Sequence, residues 1–443
     1  MPASTQTQSA VADPEVAVSA GRDSRPTRRR SRAQVDSPLA WLMVLATFLA
    51  SGVTLGIAYS FGAFFAEMAD EFGSTRGATA VIFGITTFSF FWLSLITGPA
   101  TDRWGPRPVI ATGALCLCVG LLATSQVNSL MLGYVTYGAG VGIAAACGYI
   151  PMIAMVGGWF EEQRATAIGL AAAGIGVGTL VVSPLSAELI ERIGWRDTYV
   201  VLGVMGPVLL LWSTALIDRP PGHAGPQPVQ FRRAIGSPAF RRLWLSALCS
   251  GLALFVPFVF VGQYAKERGV GPVASSILVG VLGGASVLAR IGFGTAVARF
   301  GSMLLYRSCF LLLSAGFVLW LMAGDSFAML VAFVLLLGIG YGGFVALSTI
   351  VMAERMGVVG LGSILGLFYT SQGLGGLIGP PTAGWIIDRT GGYRTVILVC
   401  CGLTFAAWAL HTGMRAHTNG SAVHTTGSTP VVRIPPAKQG DDS

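Results

Sequence analysis

The sequence predicts an all-α polytopic membrane protein, with twelve transmembrane helices in two pseudo-symmetric lobes of six helices each. Three observations predict it. Apolar residues make up 53% of the chain and charged residues only 11%, against about 25% charged residues in soluble domains. Twelve apolar runs are each close to the ~20 residues that a helix needs to cross a bilayer. A polar segment separates the first six runs from the last six, and motifs of the first half return in the second.

The apolar runs give the positions of the predicted spans. They lie near residues 40–64, 78–100, 108–127, 130–156, 165–189, 197–217, 243–264, 274–297, 303–323, 327–351, 362–387 and 394–414.

The same runs divide the chain into domains. We expect a disordered basic cytoplasmic tail (1–38), an N-terminal six-helix lobe (39–218), a cytoplasmic inter-lobe linker (219–242), a C-terminal six-helix lobe (243–415) and a disordered C-terminal tail (416–443).

Positive charge orients the chain. With both termini inside, 20 of the 28 Lys and Arg residues fall on the cytoplasmic side and 7 on the external side. Short cytoplasmic loops of membrane proteins carry such an excess. The net charge of +8 therefore indicates topology and not nucleic-acid binding. We expect a multi-pass protein of the cell membrane, a bacterial inner membrane, with both termini cytoplasmic.

Residues for catalysis or metal binding do not cluster in the sequence. The seven cysteines lie in predicted spans, and the four histidines lie in loops, at the last helix end or in the tail. A G-x-S-x-G motif and a P-loop are absent from the sequence. We therefore predict no enzyme activity, no metal site and no cofactor.

Arg290 is the most informative single residue. It lies within the predicted eighth span, and the stretch from 275 to 297 contains no Asp or Glu to neutralise it. A charge at membrane depth costs at least ~2.5–3.5 kcal/mol, so such a residue faces protein or a water-filled cavity. The planar guanidinium matches a carboxylate bidentately. We predict that Arg290 binds an organic anion; the competing interpretation is an arginine that reaches the cytoplasmic surface, near Arg299.

Two motifs repeat between the halves. Residues 98–105 end the second span and residues 294–301 end the eighth, each closing on glycine. Gly-Trp-Arg at 194–196 returns as Gly-Tyr-Arg at 392–394. Internal repeats are typical of secondary transporters, which place their substrate site between the repeats near the middle of the membrane.

The loop after the second span resembles that of the major facilitator superfamily. It reads Gly98-x-x-x-Asp102-Arg103-x-Gly105-x-Arg107. The resemblance implies the major facilitator fold and a conformational latch at the cytoplasmic helix ends, formed by Asp102, Arg103 and Arg107.

Further motifs resemble the monocarboxylate transporter family and its oxalate–formate relatives, over residues 39–414. The resemblance implies transport of small carboxylates, in many members together with a proton. The motifs are Tyr59-Ser-Phe61, Tyr149-Ile-Pro151, Trp159-Phe160-x-x-x-Arg164-x-x-Ala167-x-Gly169-x-Ala171-x-Ala173-Gly174 and Gly379-Pro380-Pro381.

The family's eighth-helix arginine falls on Arg290, but two other features of the family are missing. Ser286 stands where many members carry an acid, and Ala63 stands at or near the first-helix lysine of animal members. All Asp and Glu residues lie in tails, loops or helix ends. The proton could therefore travel on the substrate's own carboxylate, or the carrier could exchange one anion for another.

Depth along the helices selects further candidate residues. At 1.5 Å per residue, several polar side chains lie near the level of Arg290 or the span centre, and Tyr59 lies toward the external side. Phe88, Phe255 and Phe258 are candidates for an apolar wall. The candidate substrate-binding residues are Arg290, Tyr149, Tyr341, Gln372, Tyr59 and Tyr369.

The sequence thus favours a secondary transporter that moves a small monocarboxylate by alternating access, with proton-coupled uptake. The partners are the small organic anion, protons and the lipid bilayer, and the functional unit is a monomer. An anion exchanger and an efflux carrier for a drug or amphipathic metabolite remain as alternatives. A membrane sensor on the same fold would need a soluble module larger than either tail.

Overall fold

The computed structural model describes residues 36–219, 235–357 and 361–411, except the side chain of Ala165. Within these ranges the secondary structure is helical, with short turns between helices. Most of the predicted tails (1–38 and 416–443) and of the predicted linker (219–242) lies outside the described residues.

Twelve membrane crossings can be traced in the described part of the chain. They are α1 (Pro38–Glu71), α2 (Arg76–Trp104), α3 (Pro106–Thr124), α4 (Leu130–Trp159), α5 (164–193), α6 (195–216), α7 (Pro238–Lys266), α8 (Pro272–Phe300), α9 (Ser302–Met322), α10 (Phe327–Met356), α11 (Leu361–Thr390) and α12 (Arg394–Ala409).

The observed helices confirm the predicted fold class and extend most of the predicted spans. Among the described residues, ten helical stretches are long and apolar enough to cross a membrane; one of them bends at Gly194 (φ 82°) into α5 and α6, and α12 is shorter. Helix α7 begins at Pro238, inside the predicted linker. Apolar runs mark the membrane interior, whereas the polar ends of these helices continue into the headgroup region, so the runs underestimate helix length.

The internal repeat is visible in the backbone. Gly105, between α2 and α3, has φ 93°, and Gly301, between α8 and α9, has φ 77°. Both positions require a left-handed backbone conformation that favours glycine. The same turn therefore joins the second helix of each lobe to the third.

The two lobes meet along α2 with α11 and along α5 with α8. At the second contact the Ser183 hydroxyl donates to the carbonyl of Ser276 at 3.2 Å. A Cβ atom added to Gly176 would lie 2.3 Å from the carbonyl oxygen of Gly283, so the two backbones touch there. Glycine permits this close helix approach.

Three helices break near the middle of the protein. Ser60 interrupts α1, Tyr149 interrupts α4 with φ −120° and ψ −77°, and Phe255 interrupts α7. Pro151 contributes to the break in α4 because proline cannot donate a backbone hydrogen bond to the preceding turn. Tyr149 and Phe255, at two of these breaks, line the space between the lobes.

We call the end of the molecule that carries residues 72–75, 267–271 and 391–393 the outer end, and the opposite end the inner end. The charge pattern predicts that the outer end is external.

Candidate functional site

Arg290 projects from α8 toward the opposite lobe. The residue is only 4% exposed, and its Nη1 donates to the backbone carbonyl of Ala172 on α5. Its Nε and Nη2 are buried and have no hydrogen-bond partner among the described residues. These two N–H groups lie on one edge of the planar guanidinium, the edge that can bind both oxygens of one carboxylate.

A small central cavity lies between the lobes beside Arg290. Its volume is about 20 Å³, which is room for about one water molecule. Five of the six predicted substrate-binding residues line it: Tyr59, Tyr149, Tyr341, Tyr369 and Gln372. The sixth, Arg290, approaches the same group, with its guanidinium carbon 5.7 Å from the centre of the Tyr341 ring.

The tyrosine hydroxyls form the polar part of this central cavity. Those of Tyr59 and Tyr341, from different lobes, are 3.3 Å apart and share a hydrogen bond. The hydroxyl of Tyr149 makes no hydrogen bond to any other described residue, and its ring packs against Phe90. Arg290 lies close enough to interact electrostatically with Tyr59, Tyr149 and Tyr369.

Gln372 is already engaged within its own lobe. Its Nε2 donates to the carbonyl of Ala247 on α7 at 2.6 Å. This bond uses one of the two amide N–H groups and holds the side chain against its own lobe. We therefore expect Gln372 to fix the position of α11 against α7 more than to bind a carboxylate.

Aromatic and aliphatic residues complete the lining, and the sequence identified them only in part. Phe255 lines the cavity as expected. Phe258 lies behind it, with its ring 4.5 Å from that of Tyr59. Phe88 stacks on the exposed Trp92 and faces away from the cavity. In the sequence, an apolar residue that lines a cavity cannot be distinguished from one in the core of the same span. The lining residues that the sequence analysis did not identify are Leu55, Phe90, Phe91, Ile175, Phe344 and Val345.

Acidic groups do not line the cavity within the described ranges. Ser286, at the position of the family's acid, donates to the carbonyl of Gly283 at 2.7 Å.

His411 is fully buried after α12, which the sequence did not indicate, and one of its ring nitrogens lies 2.7 Å from the Ser246 hydroxyl. Its carbonyl accepts from Arg307. A protonated His411 would face that positive charge without solvent.

The predicted latch residues lie at the inner end, where Arg103 and Arg107 contact the segment that ends α6. Arg107 Nε donates to the carbonyl of Ile217 at 2.8 Å. Arg219 Nη2 donates to the backbone carbonyl of Arg103 at 2.9 Å. The turn between α2 and α3 is thereby tied to α6 of the same lobe through the Arg107 side chain and the Arg103 backbone. Asp102, at the end of α2, is half-buried.

Ion pairs close the outer end between the lobes. Arg76, the first residue of α2, pairs with Glu267 at 2.8 Å and with Asp388 at 3.4 Å, both from the C-terminal lobe. The Tyr393 hydroxyl also donates to Glu267, at 2.8 Å. Burial raises the pKa of the Tyr393 phenol above its usual value, and the bond to the Glu267 carboxylate raises it further. We call Arg76, Glu267 and Asp388 the outer seal.

The lobes separate toward the inner end. Beyond Arg290, the inner half of α8 is largely exposed, and Gly292 and Gly294 have no neighbouring atom where a Cβ would lie. The lobes are therefore in contact from the outer seal to the level of Arg290. An arrangement of this kind can bind one anion between two lobes and open toward one side at a time.

Comparison with known proteins identifies relatives along most of the chain. The sequence profile of the Major Facilitator Superfamily matches residues 41–324 and 293–432. Monocarboxylate transporter 3 of Rattus norvegicus is 30% identical over 385 residues, 83% of this chain and 78% of the relative. Monocarboxylate transporter 4 of the same species is 30% identical over 82% of this chain and 80% of the relative.

The fold also matches solved structures. The nucleoside transporter NupG (D323A mutant) superposes with a TM-score of 0.68 at 14% identity, over 84% of this chain and 99% of that chain. At this identity the likeness concerns the fold alone.

Proposed function

Because this chain belongs to the major facilitator superfamily, as a relative of the monocarboxylate transporters, we propose that it carries a small monocarboxylate across the membrane. The lobes would rock about the central cavity and expose it to each side in turn. Uptake would be coupled to a proton.

The state of Arg290 carries this proposal. An unsatisfied buried donor costs about 1–3 kcal/mol, and more when the group is charged. The Nε and Nη2 donors of Arg290 are buried without a partner in the described residues. A carboxylate would satisfy both donors and neutralise the charge, so the protein gains most from a substrate with one carboxylate. The hydroxyl of Tyr149 is available as a further donor.

The size and lining of the cavity support a small substrate with an apolar tail. Its volume is about 20 Å³, so the inner ends of the lobes would move apart to admit even a short acid. Phe90, Phe91 and Phe255 line the cavity and would surround an apolar tail. An efflux carrier for drugs would need a larger cavity and would have no need of Arg290.

Proton coupling would take place on the substrate. The residues that line the cavity include no carboxylate or histidine within the described part of the chain, and arginine stays protonated in proteins. The proton would therefore travel on the carboxylate, as a neutral acid or as an anion with its proton beside Arg290. Anion exchange is the alternative, and it needs no proton.

We further propose that the protein works as a monomer in a bacterial inner membrane, with both termini cytoplasmic. The excess of Lys and Arg on the inner side supports this orientation. The latch of Asp102, Arg103 and Arg107 would then act on the cytoplasmic side.

Uptake into proteoliposomes tests the proposal. Purified protein is reconstituted and given a panel of radiolabelled short monocarboxylates, with dicarboxylates and a cationic drug as controls. We expect accumulation of monocarboxylates that follows an imposed inward proton gradient. Accumulation that ignores the gradient but responds to a preloaded internal anion would assign exchange instead. Transport of the drug with no carboxylate uptake would contradict the anion site.

A further inference from the structure

A second, larger cavity opens at the outer end of the C-terminal lobe, away from the central site. It lies between the outer ends of α7, α9 and α12 and has a volume of about 400 Å³. Small-molecule pockets typically measure ~300–1,000 Å³. Two arginines, Arg268 and Arg394, line it. The central transport site does not account for either of them.

Neither arginine is fully satisfied by the protein. Arg394 is exposed and makes no hydrogen bond or ion pair within the described residues. Arg268 stacks on Tyr264, with its guanidinium carbon 3.4 Å from the ring centre, and donates to the Tyr264 carbonyl. Its buried Nε has no hydrogen bond. Asp325 lies 3.4 Å from that atom, but its carboxylate is 91% exposed, so the pair contributes little.

The equivalent position at the outer end of the N-terminal lobe is filled by side chains of that lobe. There Arg196 donates to the carbonyls of Ser125 and Val127 and pairs with Glu71. Phe72 packs edge-on against Trp195. Three hydrogen bonds of this arginine, two to carbonyls and one to a carboxylate, are thus made within the lobe.

The repeat shows what changes in the C-terminal lobe. Glu267 corresponds to Glu71, and Arg268 stands at the position of Phe72. Arg394 corresponds to Arg196, but Glu267 is engaged by Arg76 of the other lobe. The C-terminal lobe therefore has one more arginine at this position than the N-terminal lobe, and its glutamate pairs with Arg76 instead of Arg394.

The cavity is also apolar on its membrane side. Leu321 and Ile397 line it, and Leu321 is 37% exposed. The adjoining Met322, the last residue of α9, is 65% exposed. A ligand with an oxyanion and a hydrocarbon chain fits this combination, because arginines bind phosphate strongly and the apolar rim continues along the lipid-facing helices.

We propose that this outer cavity binds a phosphate oxyanion between Arg268 and Arg394, supplied by the headgroup of an anionic lipid in the outer leaflet. Free phosphate shares the same chemistry and is the other source that the experiment distinguishes.

The test uses the full chain in detergent and measures its melting temperature. The protein is titrated with short-chain phosphatidylglycerol, with phosphatidylcholine of the same chain length and with inorganic phosphate. Arg394→Gln is the test variant because Arg394 has no structural contact to lose. Arg389→Gln is the matched control: Arg389 is also exposed at the outer end and packs over Trp385 at 4.7 Å.

We expect phosphatidylglycerol to stabilise the protein and Arg394→Gln to raise the half-maximal lipid concentration about tenfold, the effect of losing one charge-assisted contact. Arg389→Gln should change it less than about twofold, as for a screened surface charge. Stabilisation by inorganic phosphate alone, with the same dependence on Arg394, would support the oxyanion site and assign it to a free anion. Equal responses of Arg394→Gln and the unaltered protein, or equal stabilisation by phosphatidylcholine, would overturn the proposal.

Discussion

Two arginines reach across the boundary between the lobes, and they differ in exposure and in the partners of their guanidinium groups. Arg76 extends from the N-terminal lobe at the outer end, is 40% exposed, and meets two carboxylates. Arg290 extends from the C-terminal lobe at the centre, is 4% exposed, and meets one backbone carbonyl. One cation is solvated and paired, and the other is desolvated and only partly satisfied.

The difference follows from what each contact must do. An exposed ion pair is worth roughly 0–1 kcal/mol, so thermal motion can break and re-form the outer seal in each transport cycle. A buried charge costs several kcal/mol when it lacks a partner. Arg290 is thus suited to bind a substrate, whereas Arg76 is suited to open and close.

The largest effect should come from the central arginine. Arg290→Ala should abolish uptake, because truncating one partner of a buried charge pair costs about 2–5 kcal/mol, or roughly 30-fold to several thousand-fold in affinity. Arg290→Lys should also fail largely, because an ammonium cannot present two parallel donors. The measurement is uptake in proteoliposomes, with elution profile and melting temperature as checks of folding.

Arg299→Ala is the matched control for Arg290, since Arg299 lies on the same helix and is exposed. We expect near-normal uptake for this variant. Near-normal uptake by Arg290→Ala would refute the anion site and with it the contrast between the two arginines.

Tyr149 gives the next largest effect. Tyr149→Phe keeps the ring and removes one donor, and loss of a hydrogen bond to a charged group costs ~1.5–3 kcal/mol, or roughly 10- to 150-fold in affinity. Tyr137→Phe, on the same helix, is the control: its hydroxyl donates to the Ile57 carbonyl inside the lobe. That variant should lower the melting temperature without a change in affinity. An unaltered affinity of Tyr149→Phe would make Tyr149 a packing residue.

A substitution in the outer seal should have a smaller effect on the opening of the outer end. The internal repeat provides a matched control residue for it. Glu267 bridges the lobes, whereas its counterpart Glu71 pairs with Arg196 inside one lobe. Glu267→Gln should shift the population toward an open outer end by roughly 1.5- to 5-fold, the value of an exposed pair. Glu71→Gln, the same chemical change, should leave that population unchanged.

Hydrogen–deuterium exchange at the outer ends of α2 and α11 measures this shift. Faster exchange in Glu267→Gln alone is the expected result. If both variants exchanged alike, the contact between Arg76 and Glu267 would have no special role in closing the lobes.

The inner-end latch gives the smallest effect. Arg107 makes its contact through its side chain, whereas Arg103 makes its contact through its backbone carbonyl. Asp102→Asn and Arg107→Gln should therefore slow turnover a few-fold with unchanged affinity, since a single net hydrogen bond contributes about 0.5–1.5 kcal/mol. Arg103→Gln should have little effect. Counterflow rates and equilibrium binding, measured on the same preparations, separate the two quantities; a lost affinity with normal turnover would contradict the latch.

The sequence was most informative where a residue conflicts with its surroundings. A lone cation in an apolar span indicated Arg290, and the Tyr-Ile-Pro motif indicated Tyr149. Their approach to each other beside the central cavity depends on helix breaks and helix rotation, which hydropathy does not encode. Phe90 and Phe91 were missed because an apolar residue in an apolar span has the same pattern in the core, in a cavity and toward lipid. His411 was missed because its burial depends on packing of helices far apart in the chain.

The glycine contact between α5 and α8 has a consequence for the speed of transport. At Gly176 and Gly283 the two backbones touch, and the side chains that cover the glycines are short: Val287 lies over Gly176 and Thr179 lies over Gly283. Helices with long interdigitated side chains must disengage them before they can turn, which adds an activation barrier. A contact made by backbone and short side chains has less to disengage. We therefore expect this part of the interface to act as the pivot of the rocking motion and to keep that motion fast.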